Sequence, residues 1–92
     1  MRLVLCYDVA SDRRRARVHR KLRGHLVPVQ ESVFEGDCDA SELVVFERIV
    51  RKELDLGIDA VRVYLLCADC AAKIRLYGTS EPLPDPDVPQ MF

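Results

Sequence analysis

Apolar and polar positions along the chain sort into segments that read in turn as strand and helix. Residues 2 to 9, Arg-Leu-Val-Leu-Cys-Tyr-Asp-Val, are nearly continuously apolar and rich in β-branched and aromatic side chains, the pattern of a strand covered on both faces. That strand ends at Asp8, and Ser11 or Asp12 can cap a helix running to Leu22 or Arg23 and stopping at Gly24. Only Val18 and Leu22 form its apolar stripe, so most of its circumference is cationic. Residues 26 to 36 read as extended, with Pro28 restricting the first part to a sheet edge or a strand start. A reversal near Gln30 to Ser32 gives two short antiparallel strands, the second carrying Val33 and Phe34 into the sheet. Asp39-Ala-Ser-Glu42 fits a capping box, and Leu43, Phe46, Val50 and Leu54 recur at helical spacing, which predicts a second helix ending near Gly57. Residues 59 to 67 form another apolar strand, expected in the sheet centre. Lys73-Ile-Arg-Leu-Tyr77 then alternates as a half-exposed strand does, and Gly78 closes it.

Strand, helix, strand, strand, helix, strand is the order of an α+β ferredoxin-like βαββαβ sandwich, here with an additional C-terminal strand. The predicted domain covers residues 1–78. Residues 79–92 form a proline-rich tail whose Val88, Met91 and Phe92 offer apolar groups for docking, most simply on a dimer partner. Two helices cover only one face of such a sheet. Leu3, Leu5 and Tyr7 lie on one side of the first strand, and Val4 and Cys6 on the other, so one apolar row is left for another surface. A homodimer is therefore expected.

Ninety-two residues bury too little surface to divide a core, so a two-domain enzyme is excluded. With 49% hydrophobic and 32% charged residues, the chain falls among globular proteins and outside the disordered and membrane classes. No apolar run approaches the roughly 18 residues of a membrane span, and Met1-Arg2-Leu3-Val4 does not resemble a cleavable signal. The expected location is the cytoplasm, with no membrane. Net charge is −1, yet Arg13, Arg14, Arg15, Arg17, Arg20, Lys21 and Arg23 fall between residues 13 and 25 with no acid among them. Such a segment is disfavoured by self-repulsion and by the helix dipole. An anionic partner explains it, and a nucleic-acid backbone is the ordinary one.

Asp8 shares a strand face with Val4 and Cys6, so the row expected to meet a second copy ends in a carboxylate. Two such carboxylates brought together must protonate, separate or share a cation. Mg²⁺ or Mn²⁺ suits that arrangement, because one or two carboxylates and water complete its shell. The plainer reading has Asp8 ending a strand and capping a turn. Cys67-Ala-Asp-Cys70 has no second pair of ligands at zinc spacing, so incidental cysteines are the default reading. Ser32 has no activating partner in sequence and reads as a hydroxyl for phosphate, while His19 and His25 read as solvated or phosphate-facing. Phe34 is either core or a platform for a base.

Tyr7-Asp8-Val9, Asp12-Arg-Arg-Arg-Ala-Arg-Val18, Val29-Gln-Glu-Ser-Val-Phe-Glu35 and Asp59-Ala-Val-Arg-Val-Tyr64 together resemble the small CRISPR-associated nucleases of the spacer-acquisition machinery, the Cas2 family. The resemblance spans residues 1 to about 66. It implies a ferredoxin-like homodimer, a divalent metal held between protomers by Asp8, metal-dependent cleavage of RNA or DNA, and a CRISPR integrase as partner. It also assigns Arg15 and Arg17 to the basic first helix, and Ser32 and Phe34 to a shared V-Q-x-S-V-F motif. Pro28 stands where many relatives carry a basic residue. Two functions follow as alternatives. One is a hydrolase using Asp8 with Arg13, Arg14, Arg15 and Arg17 on the phosphodiester, and the other is a non-catalytic DNA-binding scaffold for the integrase.

Overall fold

A computed structural model describes residues 1–83, and the proposed docking of the tail from residue 84 onward lies outside the described residues. The elements are β1 (Arg2–Asp8), α1 (Asp12–Leu22), β2 (Val27–Gln30), β3 (Val33–Asp37), α2 (Ala40–Glu53), β4 (Ala60–Leu66) and a short α3 (Ala68–Ala72). The strands form one sheet in the order β2-β3-β1-β4, every neighbouring pair antiparallel. This is the expected βαββαβ sandwich.

Local chemistry sets the helix starts where expected. The Ser11 hydroxyl accepts from the Arg14 amide at 3.3 Å and starts α1, satisfying one of its unpaired first-turn donors. At α2 the Asp39 carboxylate accepts from the Glu42 amide at 2.8 Å. Glu42 reciprocates by accepting from the Asp39 amide at 3.1 Å, which completes the capping box. The amide of Glu42, with the Ser41 hydroxyl, holds the Asp39 carboxyl below the usual carboxylate range. Pro28 sits on the edge strand β2 and needs no ladder donor toward solvent.

Leu3, Leu5 and Tyr7 of β1 point into the core with Phe34, Phe46, Val18 and Leu22. The two apolar residues of α1 suffice to seat it, since burying each contributes about 1.5–3 kcal/mol. Gly36 lies opposite Leu3 on the same face. A Cβ there would come within 2.6 Å of Leu26 Cδ2, so a larger residue would make the Leu26 side chain shift.

Three expectations are corrected. β4 is an edge strand and not central. Its apolar run reflects an edge that α2 leaves partly open, where Val63 and Leu65 are exposed and a cavity of about 390 Å³ lies between α2 and β4. α2 ends at Glu53, earlier than Gly57, because Leu54 turns extended and Asp55 opens a turn in which its Oδ1 accepts from the Gly57 amide at 3.0 Å. The additional C-terminal strand does not form within the described residues. The chain coils into α3 and continues without ladder bonds through residues 73–77, as an alternating segment must when it has no neighbouring strand to pair with.

Phe34→Ala should lower unfolding stability by about 3–5 kcal/mol in urea titration. Val44→Ala, on the exposed face of α2, should stay within about 0.5 kcal/mol.

Candidate metal and nucleic-acid site

Alternation along β1 puts Val4, Cys6 and Asp8 on the face that neither helix covers, Val4 and Cys6 half-buried and Asp8 exposed. Across the ladder, Val4 faces Tyr64, Cys6 faces Arg62 and Asp8 faces Ala60. On the other side Val4 faces Glu35 and Cys6 faces Val33. Arg62 and Tyr64 thus belong to the same open surface as Asp8, and Arg62 donates to the Tyr64 hydroxyl at 3.3 Å. Neither was a candidate from sequence, although the two-residue period of β4 puts both on one face.

Four pieces of chain meet at the Asp8 end of the sheet. The Glu31–Ser32 turn is pinned there, because the Tyr7 amide donates to the Ser32 carbonyl at 3.0 Å and the Tyr7 hydroxyl to the Glu31 carbonyl at 3.1 Å. Burial is the main cause that raises the Tyr7 phenol above its ordinary pKa. The loop after Asp8 is held by Arg15, whose Nη1 donates to the Val9 carbonyl at 2.8 Å while Nη2 pairs with Asp12. The start of β4 is held by Arg14, which grips Asp59 through Nε at 2.8 Å and Nη2 at 3.0 Å. The Asp59 side chain is fully buried and also accepts from the Asp55 amide at 3.0 Å. Arg14 is the main reason the Asp59 carboxyl stays below the usual carboxylate range.

These pairings revise the basic helix. Arg14 is a clamp for the fold and not a free phosphate ligand. Arg17 lies 3.5 Å from Glu53 and Lys21 lies 2.6 Å from the same carboxylate, tying α1 to the last residue of α2. Lys21, foremost, keeps Glu53 below its ordinary pKa. The absence of acids within residues 13–25 is therefore compensated by acids that the fold brings from elsewhere. Arg13, Arg20 and Arg23 are exposed and form no ion pair among the described residues. Ser32 is half-buried at the pinned turn, beside the Asp8 end of the sheet. Phe34 is corrected to core: it is 0% exposed, with its ring 5.1 Å from His19 and 6.2 Å from Tyr7, and cannot stack on a base.

Asp8 supplies the hard oxygen donor that Mg²⁺ or Mn²⁺ prefers. Among the described residues no group of three or more His, Cys, Asp or Glu converges to hold a metal. One or two carboxylates with water can hold such an ion, and the same group from a second copy would add to Asp8.

The family described as CRISPR associated protein Cas2 matches residues 1–74. The chain belongs to the Cas2 family. A relative from Chloroflexus aurantiacus, named CRISPR-associated endoribonuclease Cas2 3, is 39% identical over 83 residues, covering 90% of this chain and 89% of its own. One from Thermus thermophilus, named CRISPR-associated endonuclease Cas2 2, is 36% identical and covers 88% and 84%. Among solved structures, Streptococcus pyogenes Cas2 superposes with a TM-score of 0.73 at 25% identity, over 85% of this chain and 100% of that one.

Arg14→Ala should lower the urea midpoint clearly more than Arg13→Ala, because it strands the buried Asp59 carboxylate. The depressed Asp59 and Glu53 carboxyls contribute stability that is complete above their unfolded values of about 4 and is lost as pH falls through their lower folded values. Removing Arg14 should therefore move acid unfolding, followed by circular dichroism, to higher pH.

Proposed function

We propose that this protein is a homodimeric, divalent-metal-dependent phosphodiesterase of CRISPR adaptation, acting on RNA or DNA in the cytoplasm beside the CRISPR integrase. The reading is carried by one observation: in a Cas2-family chain, the open sheet face ends in the exposed carboxylate of Asp8. Two copies stacking these faces about a two-fold axis near the end of β1 bring both Asp8 groups to one place. A Mg²⁺ or Mn²⁺ ion held by them would supply Lewis acidity and a water acidic enough to attack phosphorus near neutral pH.

The rest of the work falls to the chain. Arg15 fixes the loop behind Asp8 through the Val9 carbonyl, and Arg14 fixes the start of β4 opposite it. Arg13, Arg20 and Arg23 remain to attract the phosphate backbone, with Arg15 and Arg17 able to add charge from their partly exposed side chains. The Ser32 turn lies within the same edge and offers a hydroxyl for a phosphate oxygen. Relatives named endoribonuclease and endonuclease make both nucleic acids substrates to test. No helix among the described residues is long and apolar enough to cross a membrane.

A second reading, a non-catalytic scaffold that grips duplex DNA for the integrase, is favoured by the solitary Asp8. Nucleases that use two metals normally gather several acids, and no group of three or more His, Cys, Asp or Glu forms around Asp8 among the described residues.

Purified wild type and Asp8→Asn should be incubated with single-stranded RNA and duplex DNA, with Mg²⁺ and with chelator, after sedimentation has established that both are dimers. Under the enzyme reading, cleavage requires metal and falls about 100-fold or more in Asp8→Asn, since even outer-shell changes at metal sites cost about 10–100-fold. Metal-independent cleavage by both proteins removes Asp8 from the chemistry, and intact duplex binding without any cleavage selects the scaffold. Replacing Arg13, Arg20 and Arg23 together by Ala should flatten the dependence of log affinity on log salt by about 0.9 for each phosphate that is no longer neutralised.

A further inference from the structure

The C-x-x-C segment is used by neither reading. Cys67 follows directly on β4 and is the N-cap of α3, and Cys70 occupies the third helical position. The turn between them is closed, with the Ala71 amide donating to the Cys67 carbonyl at 2.9 Å. A helical turn puts the Cβ atoms of residues three apart at about 5–6 Å. A disulfide needs its Cβ atoms about 3.5–4.5 Å apart, so the bond forms once this turn tightens by about 1–2 Å. Both thiols are free and exposed, whereas Cys38 is buried and Cys6 is half-covered on the sheet face.

We propose that Cys67 and Cys70 form a redox-active dithiol that reacts with low-molecular-weight disulfides such as oxidised glutathione. Cys67 is the attacking sulfur and Cys70 the resolving one. The Cys67 thiolate attacks one sulfur of the small disulfide, forming a mixed disulfide and releasing one small thiolate. Cys70, on losing its proton, attacks the Cys67 sulfur and displaces the second small thiolate. Both thiolates take up a proton at neutral pH. Two S–H bonds are lost and one S–S bond formed in the protein, while the small disulfide is reduced by two electrons to two thiols.

The division of roles has a local cause. No side-chain cap bond closes on the Cys67 sulfur; the neighbouring Cys70, through its amide and then its thiol, favours the Cys67 thiolate and holds its pKa below the ordinary thiol value. The Cys70 thiol, beside the Cys67 sulfur, is pushed up, which suits the later step. A metal is the weaker alternative, because among the described residues no third His, Cys, Asp or Glu joins the two sulfurs. The bond would staple the first turn of α3 and fix the direction in which the chain leaves β4.

The test uses the full reduced chain with oxidised glutathione at pH 7, followed by acid quench, alkylation and tryptic mapping. Cleavage after Arg62 and Lys73 leaves both cysteines in one peptide, residues 63–73. The expected product is that peptide lighter by two hydrogens and unalkylated, while Cys6 and Cys38 remain alkylated after unfolding. Cys70→Ser should halt at a mixed disulfide on Cys67, forming several-fold faster than the one on Cys70 in Cys67→Ser. The bond should also form several-fold faster in the folded chain than in urea. A fully alkylated 63–73 peptide, equal rates for the two single variants, or equal rates in buffer and urea would each overturn the proposal.

Discussion

Side chains of β1 alternate between a face sealed by α1 and α2 and a face that nothing among the described residues covers. The alternation follows from the two-residue period of a strand. Leu3, Leu5 and Tyr7 cannot enter the core without sending Val4, Cys6 and Asp8 the other way. The hydrophobic row that stabilises the fold and the carboxylate that gives it chemistry are thus set by one register. A slip of one residue would bury Asp8 and expose Leu5. The ladder bonds to β3 and β4, seven residues long on the β4 side, hold that register.

Around the Asp8 end, charge holds chain segments together before any is offered to a ligand. Arg14 with Asp59 and Lys21 with Glu53 are tertiary links between α1 and the residues at the end of α2 and the start of β4. Each places a cation against a carboxylate that the fold has taken from water, where removing one partner strands the other. The cationic helix is therefore two surfaces in one: an inward side committed to Asp59 and Glu53, and an outward side of Arg13, Arg20 and Arg23.

Much of this was legible in the sequence, wherever the signal was local. Ser11 beside a cationic helix, the Asp39/Glu42 box and the Leu43, Phe46, Val50 and Leu54 spacing act over a few residues, and the elements they mark form as expected. The Asp8 row was legible too, because strand alternation is local. What escaped depends on partners far along the chain. Arg14 meets Asp59 across 45 residues, so counting charges within residues 13–25 overstated what is free for phosphate. Phe34 offered two roles, and only the packing of Tyr7 and His19 around it decides for the core. The apolar run of β4 implied two covered faces, yet α2 leaves that edge partly open. α3, at five residues, is too short to show a period, and the alternation of residues 73–77 describes a strand only when a neighbour exists.

β4 carries seven consecutive residues without proline, with Arg62 as their lone charge, and no strand lies beyond it among the described residues. Its outer backbone groups are an unsaturated template, and Val63 and Leu65 beside them are greasy enough to welcome a stranger. Natural sheets usually blunt such rims with lysine, proline or a bulge, and this one has none of the three. Colloidal behaviour is the consequence. Left uncapped at high concentration, this rim favours edge-to-edge pairing of one molecule with another, so solubility depends on whatever lies along β4 as much as on net charge.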